Sequence, residues 1–338
     1  MRLIPVFLFL TFGTLASLVM SRTNTIPETA IVDKHERWMD DYSRKYECNL
    51  EKDKRLNIFK ENLEYIESFN NGGNQSFKLG LNEFADMTQD EFIAAHTGYK
   101  MPDNLTISES TPFMYGEFSD VPTSIDWREK GAVTSVKQQG RCGCCWAFSA
   151  VAAIEGIIKI KTGTLTPLSE QQLLDCSRNG NYGCNGGWMM NAFEYIRQNQ
   201  GITTEESYPY EAMQETCCTE KQIRKAARIK GYQMVPENEE EALLKAVANQ
   251  PVSVALDGSG RYFQFYKGGV FQGECGNAMT HAVTIVGYGT NEEGLEYWVI
   301  KNSWGESWGE NGFMRIQRGT NTPGGLCGIA MKASYPLA

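Results

Sequence analysis

The stretch VKQQGRCGCCWAFSA, residues 136–150, holds three cysteines within four positions: Cys142, Cys144 and Cys145. Sulfur at this density serves metal binding, redox exchange or nucleophilic catalysis. A structural zinc site wants four Cys or His ligands at fixed spacing, and these three sit too close together for a ribbon or a finger. A thioredoxin-like site wants a βαβ setting, which the surrounding sequence does not offer. The third chemistry needs a thiolate, an imidazole partner and a group that orients the imidazole.

The chain has three histidines, His35, His96 and His281. Two of them fall in an N-terminal third of different character: residues 1–120 carry a charge of −7 and residues 121–338 carry −2. His281, in NAMTHAVTIVGYG at the start of an apolar strand-like run, is the one imidazole of the C-terminal part. A lone histidine is most often a packed or surface residue. Here it shares that part with nine cysteines, an odd number, so at least one thiol lacks an intrachain partner.

Cys145 opens CWAFSAVAAIEGIIKI, which is apolar almost all round and is closed by Gly163. The pattern predicts a buried helix. Its free N–H groups and dipole would stabilise a negative sulfur at the helix head. A protonated His281 would add to this, so the pair is expected to rest as thiolate and imidazolium. Gln139, in a turn marked by Gly140, could donate with the Cys145 N–H to a developing oxyanion. Asn302, in KNSWG, could bond the far nitrogen of His281 and set its tautomer, with Trp304 shielding that bond. From residue 250 onward PVSVAL, HAVTIVGYG, EYWVIKN and GFMRIQR read as strands between Gly- and Asn-rich turns. The C-terminal part is thus helix-rich first and strand-rich second.

The N-terminal third reads differently. Residues 1–20 join Arg2 to a long apolar run and then small residues, the pattern of a secretory signal peptide, with an uncleaved membrane anchor as the alternative. No later segment is long and apolar enough to span a bilayer. Within 33–92, Glu51, Arg55, Phe59, Asn62, Ile66 and Asn70 recur at helical steps, although polar residues are odd on a plain core face. GLNEFAD alternates Gly80, Asn82, Phe84 and Asp86, which suits a short extended segment. Residues 98–120 are polar and aperiodic and read as an exposed linker. Glycosylation sequons stand at Asn74 and Asn104. The net charge of −9 argues against nucleic acid as a partner.

QGRCGCCWAFS, CGNAMTHAV and KNSWGESWGENGF together resemble the three active-site blocks of the papain and cathepsin L family of cysteine peptidases. Cys144 stands where that family has Ser or Ala. His281 and Asn302 follow Cys145 by 136 and 157 residues, similar to the family's spacing. The Glu51-to-Asn70 stripe and GLNEFAD resemble the family's inhibitory propeptide. GCCWAFSAVAAIEG and CGIAMKASYP are most similar to its plant vacuolar and senescence-associated branch.

The resemblance implies an α+β, two-lobed fold: a helical lobe with Cys145, an antiparallel β-rich lobe with His281 and Asn302, and an active-site cleft between them. It implies a signal peptide over 1–20, an inhibitory propeptide over 33–92, an activation linker over 93–120 and the peptidase over 121–338. It pairs Cys142 with Cys184, Cys176 with Cys217 (Cys218 being the alternative) and Cys275 with Cys327. Cys144 and Cys218 are left over, as free thiols or as a pair with each other. Substrate contacts are implied for Gly186, Gly187 and Trp188 in NYGCNGGW, whose glycines admit a peptide backbone, and for Thr280. A pocket for the residue two positions before the cut is implied at Met189, Ala255, Met279 and Ala282, with Lys332 at its far end as a bordering ammonium or as a solvated surface group. The implied protein is a monomeric endopeptidase zymogen without cofactor or metal, bound by its own propeptide and acting on proteins and peptides. It is secretory, bound for the vacuole or lysosome or the cell exterior, and activated by acid. A catalytically dead binder is the rival, but the nucleophile, base and glutamine are all present.

Overall fold

The computed structural model describes residues 27–73, 75–101 and 112–338. The expected leader and both sequons, Asn74 and Asn104, lie outside these residues. The segment through Lys45 is a unit of its own. It holds helix α1 (Glu28–Asp41), in which His35 stacks on Trp38 at 5.8 Å.

The second unit begins with α2 (Asn49–Asn71), β1 (Phe77–Leu79) and α3 (Gln89–His96). The polar residues on the α2 stripe clamp the chain that follows. Arg55 bonds Glu51 and Glu91, both at 2.7 Å, and the Asp86 carbonyl at 2.9 Å. Asn62 donates to the Ala85 and Met87 carbonyls, each at 2.9 Å. Asn70 pairs with the N–H and C=O of Leu79. A side chain that satisfies buried backbone in this way is as much a core element as Phe59 or Ile66.

GLNEFAD, expected to be extended, is a turn, and the strand is the three residues that precede Gly80. The Asn82 side chain accepts the Phe84 N–H at 3.0 Å, which bends the chain, and it donates to the Gln264 carbonyl at 2.7 Å. Asn82 and Phe84 both face inward, so the alternation that looks like a strand comes from a turn. Thr88 and Glu91 then form a reciprocal cap that starts α3.

The elements of the C-terminal part are β2 (Ile125–Asp126), α4 (Cys145–Thr162), α5 (Glu170–Cys176), α6 (Met189–Gln198), β3 (Gly231–Met234), α7 (Glu240–Asn249), β4 (Val252–Leu256), α8 (Arg261–Gln264), β5 (Tyr266–Phe271), β6 (His281–Thr290), β7 (Glu296–Lys301), β8 (Phe313–Gln317) and β9 (Lys332–Leu337). Helix α4 is buried through most of its length and ends at Gly163 in the left-handed conformation. The strands run β1-β5-β8-β7-β6-β4-β9-β3, with β2 on β6. Pairing is antiparallel except between β5 and β8, which are parallel. Among the described residues, one large hydrophobic core lies around α4 and α6 and another around the sheet and α7, with a smaller cluster of Cys142, Cys144, Phe148 and Leu174. The structure carries disulfides Cys142–Cys184, Cys176–Cys217 and Cys275–Cys327, and Cys144 and Cys218 are free thiols.

The N-terminal segment is built into this scaffold. β1 extends the sheet, Phe77 opposite Gly269, and a Cβ on Gly269 would lie 2.3 Å from the Ser76 carbonyl oxygen. Phe69, Phe77 and Tyr262 pack ring against ring. Within the stretch read as an exposed linker, the described residues 112–120 are largely exposed but carry packed aromatic side chains. Tyr99 is buried, and Phe113 and Tyr115 pack on the sheet core.

Phe84 anchors the N-terminal segment on the β-lobe, with ring centroids 5.1 Å from Phe92 and 5.6 Å from Trp304. Phe84→Ala should remove roughly 3–5 kcal/mol of this packing. The melting temperature of the full chain should fall toward that of the isolated 121–338 part, which lacks Phe84 and sets the floor. Calorimetry on both forms checks this, and equal melting of wild-type and variant full chains would contradict it.

Candidate active site

Cys145 and His281 come from different lobes, and a seam of buried hydrogen bonds joins their elements. Ser149, one turn into α4, donates to the Val283 carbonyl of β6 at 2.7 Å. Its own carbonyl accepts from Ser253 at 2.9 Å and from Thr284 at 3.1 Å. The register places His281 at the head of β6 beside the head of α4. The N–H of Ala282 lies 3.4 Å from Cys145 Sγ.

The His281 tautomer follows from its partners. Asn302 Oδ1 accepts the Ser303 N–H at 2.8 Å, which fixes the amide orientation. The same oxygen lies 2.8 Å from His281 Nε2, so that nitrogen carries the proton. Nδ1 is left bare, buried and without a hydrogen-bond partner. Trp304 stacks on the ring at 4.4 Å and seals the bond from water.

Gln139 is held equally firmly. Ser303 Oγ donates to its Oε1 at 2.6 Å, so Nε2 faces the cleft with both hydrogens. One goes to the Cys142 carbonyl at 2.8 Å and the other to the His96 carbonyl at 3.2 Å. The residue sequence reasoning missed is Tyr210. Its hydroxyl donates to the Gln139 carbonyl at 2.7 Å and lies 3.0 Å from Cys144 Sγ. A phenol has one hydrogen, and the carbonyl can only accept, so Cys144 is the donor in the second bond. Cys144 is therefore a thiol with its proton committed. Burial pushes its pKa up in the same sense. The departure of Cys144 from Ser or Ala is the one signal in the sequence that a partner must exist here.

Residues 97–100 lie in the cleft. Gly98 and Tyr99 donate to the Thr280 carbonyl, each at 3.0 Å. Gly187 donates to Gly98 and accepts from Lys100, so Tyr99 bridges Gly187 in parallel sense. A Cβ on Gly98 would lie 2.0 Å from the Gly143 carbonyl oxygen, and one on Gly187 would lie 2.8 Å from the Trp146 ring. Gly186 has φ +108° and passes so close to Gly98 that a Cβ would sit 2.7 Å from the Gly98 carbonyl oxygen. Trp188, by contrast, gives its N–H to Asn181 and opens α6.

Tyr99 joins the cluster that contains Met189, Ala255, Ala282 and Met279. Its phenol is pushed up first by burial and then by the charge of Glu237, and the hydroxyl lies by the Trp188 side chain without a well-formed hydrogen bond. Lys332 lies at the Glu237 end, but it is not a lone ammonium. It pairs with Ala255 across β4 and β9 and forms an ion pair with Glu237. Beside this segment a cavity of about 290 Å³ remains, lined by Thr97, Lys100, Asn185, Met279 and Thr280 among others.

With residues 96–100 in place, burial pushes the Cys145 thiol up to about 12 and the His281 imidazole down to about 4. The N–H groups of Ala282, Trp146 and Gly98 oppose the first shift and Asn302 opposes the second, but burial outweighs them. The covered cleft thus favours the uncharged pair, not the thiolate and imidazolium expected from the sequence.

Residues 121–337 match the family described as papain family cysteine protease, and residues 35–92 match the cathepsin propeptide inhibitor domain. The chain belongs to the papain family of cysteine proteases. It is a papain-family proenzyme, made with its inhibitory propeptide. It is 50% identical to the senescence-specific cysteine protease SAG12 of Arabidopsis thaliana, over 97% of each chain. Among solved structures it resembles the recombinant stem bromelain precursor, with 47% identity, a TM-score of 0.84 and coverage of 91% of this chain and 99% of that one. The proform of the ragweed pollen cysteine protease Amb a 11 is similar, with 42% identity, a TM-score of 0.83 and coverage of 92% and 95%.

The cleft segment yields two opposite expectations, both readable on the Cys145→Ser proenzyme. Tyr99→Phe removes a buried hydroxyl without a well-formed hydrogen bond and should stabilise the proform by about 1 kcal/mol. Gly98→Ala must displace backbone and should destabilise it. Melting temperatures of the two variants check both signs, and a Tyr99→Phe variant that melts below the Cys145→Ser parent would contradict the first.

Proposed function

We propose that this protease is a secretory-pathway endopeptidase that cuts internal peptide bonds through an acyl-enzyme on Cys145. The bare Nδ1 of His281 carries the reading: it is the only ring nitrogen left to exchange a proton with the sulfur, because Asn302 Oδ1 holds Nε2. Once the propeptide leaves, water reaches the pair and the burial penalty falls, so the thiolate and imidazolium become accessible. The Cys145 sulfur attacks the scissile carbonyl, and the oxyanion takes hydrogen bonds from Gln139 Nε2 and the Cys145 N–H. His281 gives its proton to the departing amine as the C–N bond breaks. Water, losing a proton to His281, then cleaves the thioester and frees the acid.

In the proform the His96 carbonyl takes the Gln139 donor, so the propeptide blocks the place where the oxyanion would form. Substrate would pair its backbone with Gly187 and Thr280, and its second residue before the cut would enter the Tyr99 pocket. Met189, Ala255, Met279 and Ala282 favour Leu, Val or Phe there. Glu237 neutralises Lys332, so the far end of the pocket does not repel cations as a free ammonium would. The leader over residues 1–20, the three disulfides and the name of the senescence-specific relative support secretion to the vacuole, lysosome or cell exterior, and a role in general protein degradation. No described helix is long and apolar enough to cross a membrane.

Cys145→Ser should abolish hydrolysis of a fluorogenic peptide, a loss of several orders of magnitude. Cys144→Ser should keep most activity, because a serine O–H can donate to Tyr210 as the thiol does. Tyr210→Phe should lower kcat roughly tenfold by loosening Gln139, with KM little changed. A thiol-reactive epoxide found on Cys144 in wild type would overturn the assignment.

Glu91 offers a route to acid activation. Arg55 and the Thr88 N–H hold its carboxyl below its ordinary 4.5, against the opposing pull of desolvation, its largest single influence. A carboxylate lowered by folding stabilises the fold above its unfolded value and loses that contribution as pH falls through the lowered one. The Arg55–Glu91 clasp should therefore begin to weaken as pH falls below 4.5 and fail once pH passes the lowered value. Wild-type proenzyme should process itself faster at about pH 4 than at neutrality, and Glu91→Gln should narrow the difference. Equal wild-type rates at both pH values would refute acid triggering.

A further inference from the structure

Outside the cleft, the Pro112–Gly116 segment is gripped by a set of side chains from β3, α7 and β9. Gln233 works at both ends of its amide. Oε1 accepts the Met114 N–H at 3.0 Å, and Nε2 donates to the Pro112 carbonyl at 2.7 Å. Tyr335 donates to the same Oε1 and fixes the amide orientation. Lys245 Nζ donates to the Gly116 carbonyl at 3.1 Å. Between these backbone contacts, Phe113 and Tyr115 pack on the Tyr335 ring at 6.3 and 5.3 Å. The Tyr115 hydroxyl donates to Gln250 Oε1 at 2.9 Å, and Gln250 is itself held by the Pro336 carbonyl.

This is a built receptor, and it shares no residue with the cleft. Gln233, Gln250 and Tyr335 are at most 9% exposed with the segment in place. The ligand also holds its own turn. Gly116 N–H bonds the Phe113 carbonyl at 3.0 Å and Phe118 N–H bonds the Tyr115 carbonyl at 3.1 Å, which curls the segment through its own backbone. A segment that carries part of its bound shape in local bonds gives up less entropy on docking.

We propose that the peptidase carries a second peptide-binding site, at Gln233, Lys245, Gln250 and Tyr335, for a turned aromatic–x–aromatic segment. Its occupant is the chain's own Pro112–Gly116, in cis before maturation and in trans afterwards. The trans step rests on the reading that a cut near residue 121 parts this segment from the peptidase. The freed propeptide then stays near the enzyme through a contact that leaves the cleft open, and a second hold on the cleft becomes easier to regain.

The test needs no catalysis. In full-length Cys145→Ser proenzyme, Phe113→Ser with Tyr115→Ser removes both ring anchors and leaves the segment only its backbone bonds to Gln233 and Lys245, so that added peptide can displace it. A fluorescent peptide of residues 111–119 should bind this protein saturably by anisotropy and should not bind the parent, whose site is filled. Adding Gln233→Ala should weaken binding at least about tenfold. Mature enzyme with its cleft sealed by an epoxide should bind the same peptide, which covers the case of a vacated variant that fails to fold. The proposal fails if neither protein binds saturably, if the parent binds as well as the vacated form, or if Gln233→Ala changes nothing. Loss of fluorogenic-substrate hydrolysis by wild type would count against the peptidase reading and not against this site.

Discussion

The structure depends on one short seam, the hydrogen bonds through which Ser149 ties α4 to β6 and β4. A cysteine at a helix head and a histidine at a strand head are far apart in sequence and lie on separate cores. Nothing in either lobe alone sets the distance between them. The Ser149 hydroxyl holds Val283, and its carbonyl holds Ser253 and Thr284, all with negligible solvent contact. Buried polar groups must be satisfied, so a slip of either element would strand several donors and acceptors at once. That penalty makes the approach of Ala282 to Cys145 Sγ a fixed feature of the fold.

A buried charge cluster lies behind the seam and stiffens it. Lys137 bonds Glu170 at 2.6 and 2.8 Å and the Leu168 carbonyl at 2.9 Å. Thr134 connects Glu155 at 2.6 Å with Lys301 at 2.8 Å, one residue before Asn302. Burial pulls the Lys301 ammonium down and pushes the Glu170 carboxyl up, while Lys137 rises against burial because three carboxylates surround it, which keeps the Lys137–Glu170 pair charged. Such a cluster is weak evidence for net stability, since desolvation offsets attraction. What it imposes is geometry: removing one member leaves an uncompensated charge beneath Asn302.

How much was legible follows from the range of each interaction. The α4 helix, the strand texture after residue 250 and the α2 stripe are local periodicities, and the structure has them. The disulfide pairing came through resemblance, because contacts between distant positions leave no periodic trace, whereas the Cys145 and Asn302 partners of His281 were readable from residue chemistry. GLNEFAD misled because alternation of inward residues arises in an Asn-initiated turn as well as in a strand. Tyr99 and Phe113 misled for a deeper reason. The composition around them is that of a linker, and their packing is created by other parts of the chain: Thr280 and Gly187 for Tyr99, Tyr335 for Phe113. Tyr210 stood unremarked in YPYEA because only its hydroxyl's position, not its spacing, gives it a role. Lys332 was visible, but its partner Glu237 was not.

The inhibitory segment divides its hold among several sites, and that division explains why its fit in the cleft can be imperfect. β1 pairs with the sheet edge, Phe84 packs against Trp304, and Phe113 and Tyr115 sit on Tyr335. Each contact is modest, but contacts on one chain raise one another's effective concentration. The cleft residues can then afford a buried Tyr99 hydroxyl without a well-formed hydrogen bond and still stay in place. An inhibitor with all its affinity in the cleft would have to be destroyed to be released. One with distributed affinity needs only to lose an outlying anchor, after which the local concentration of the rest falls and the cleft opens.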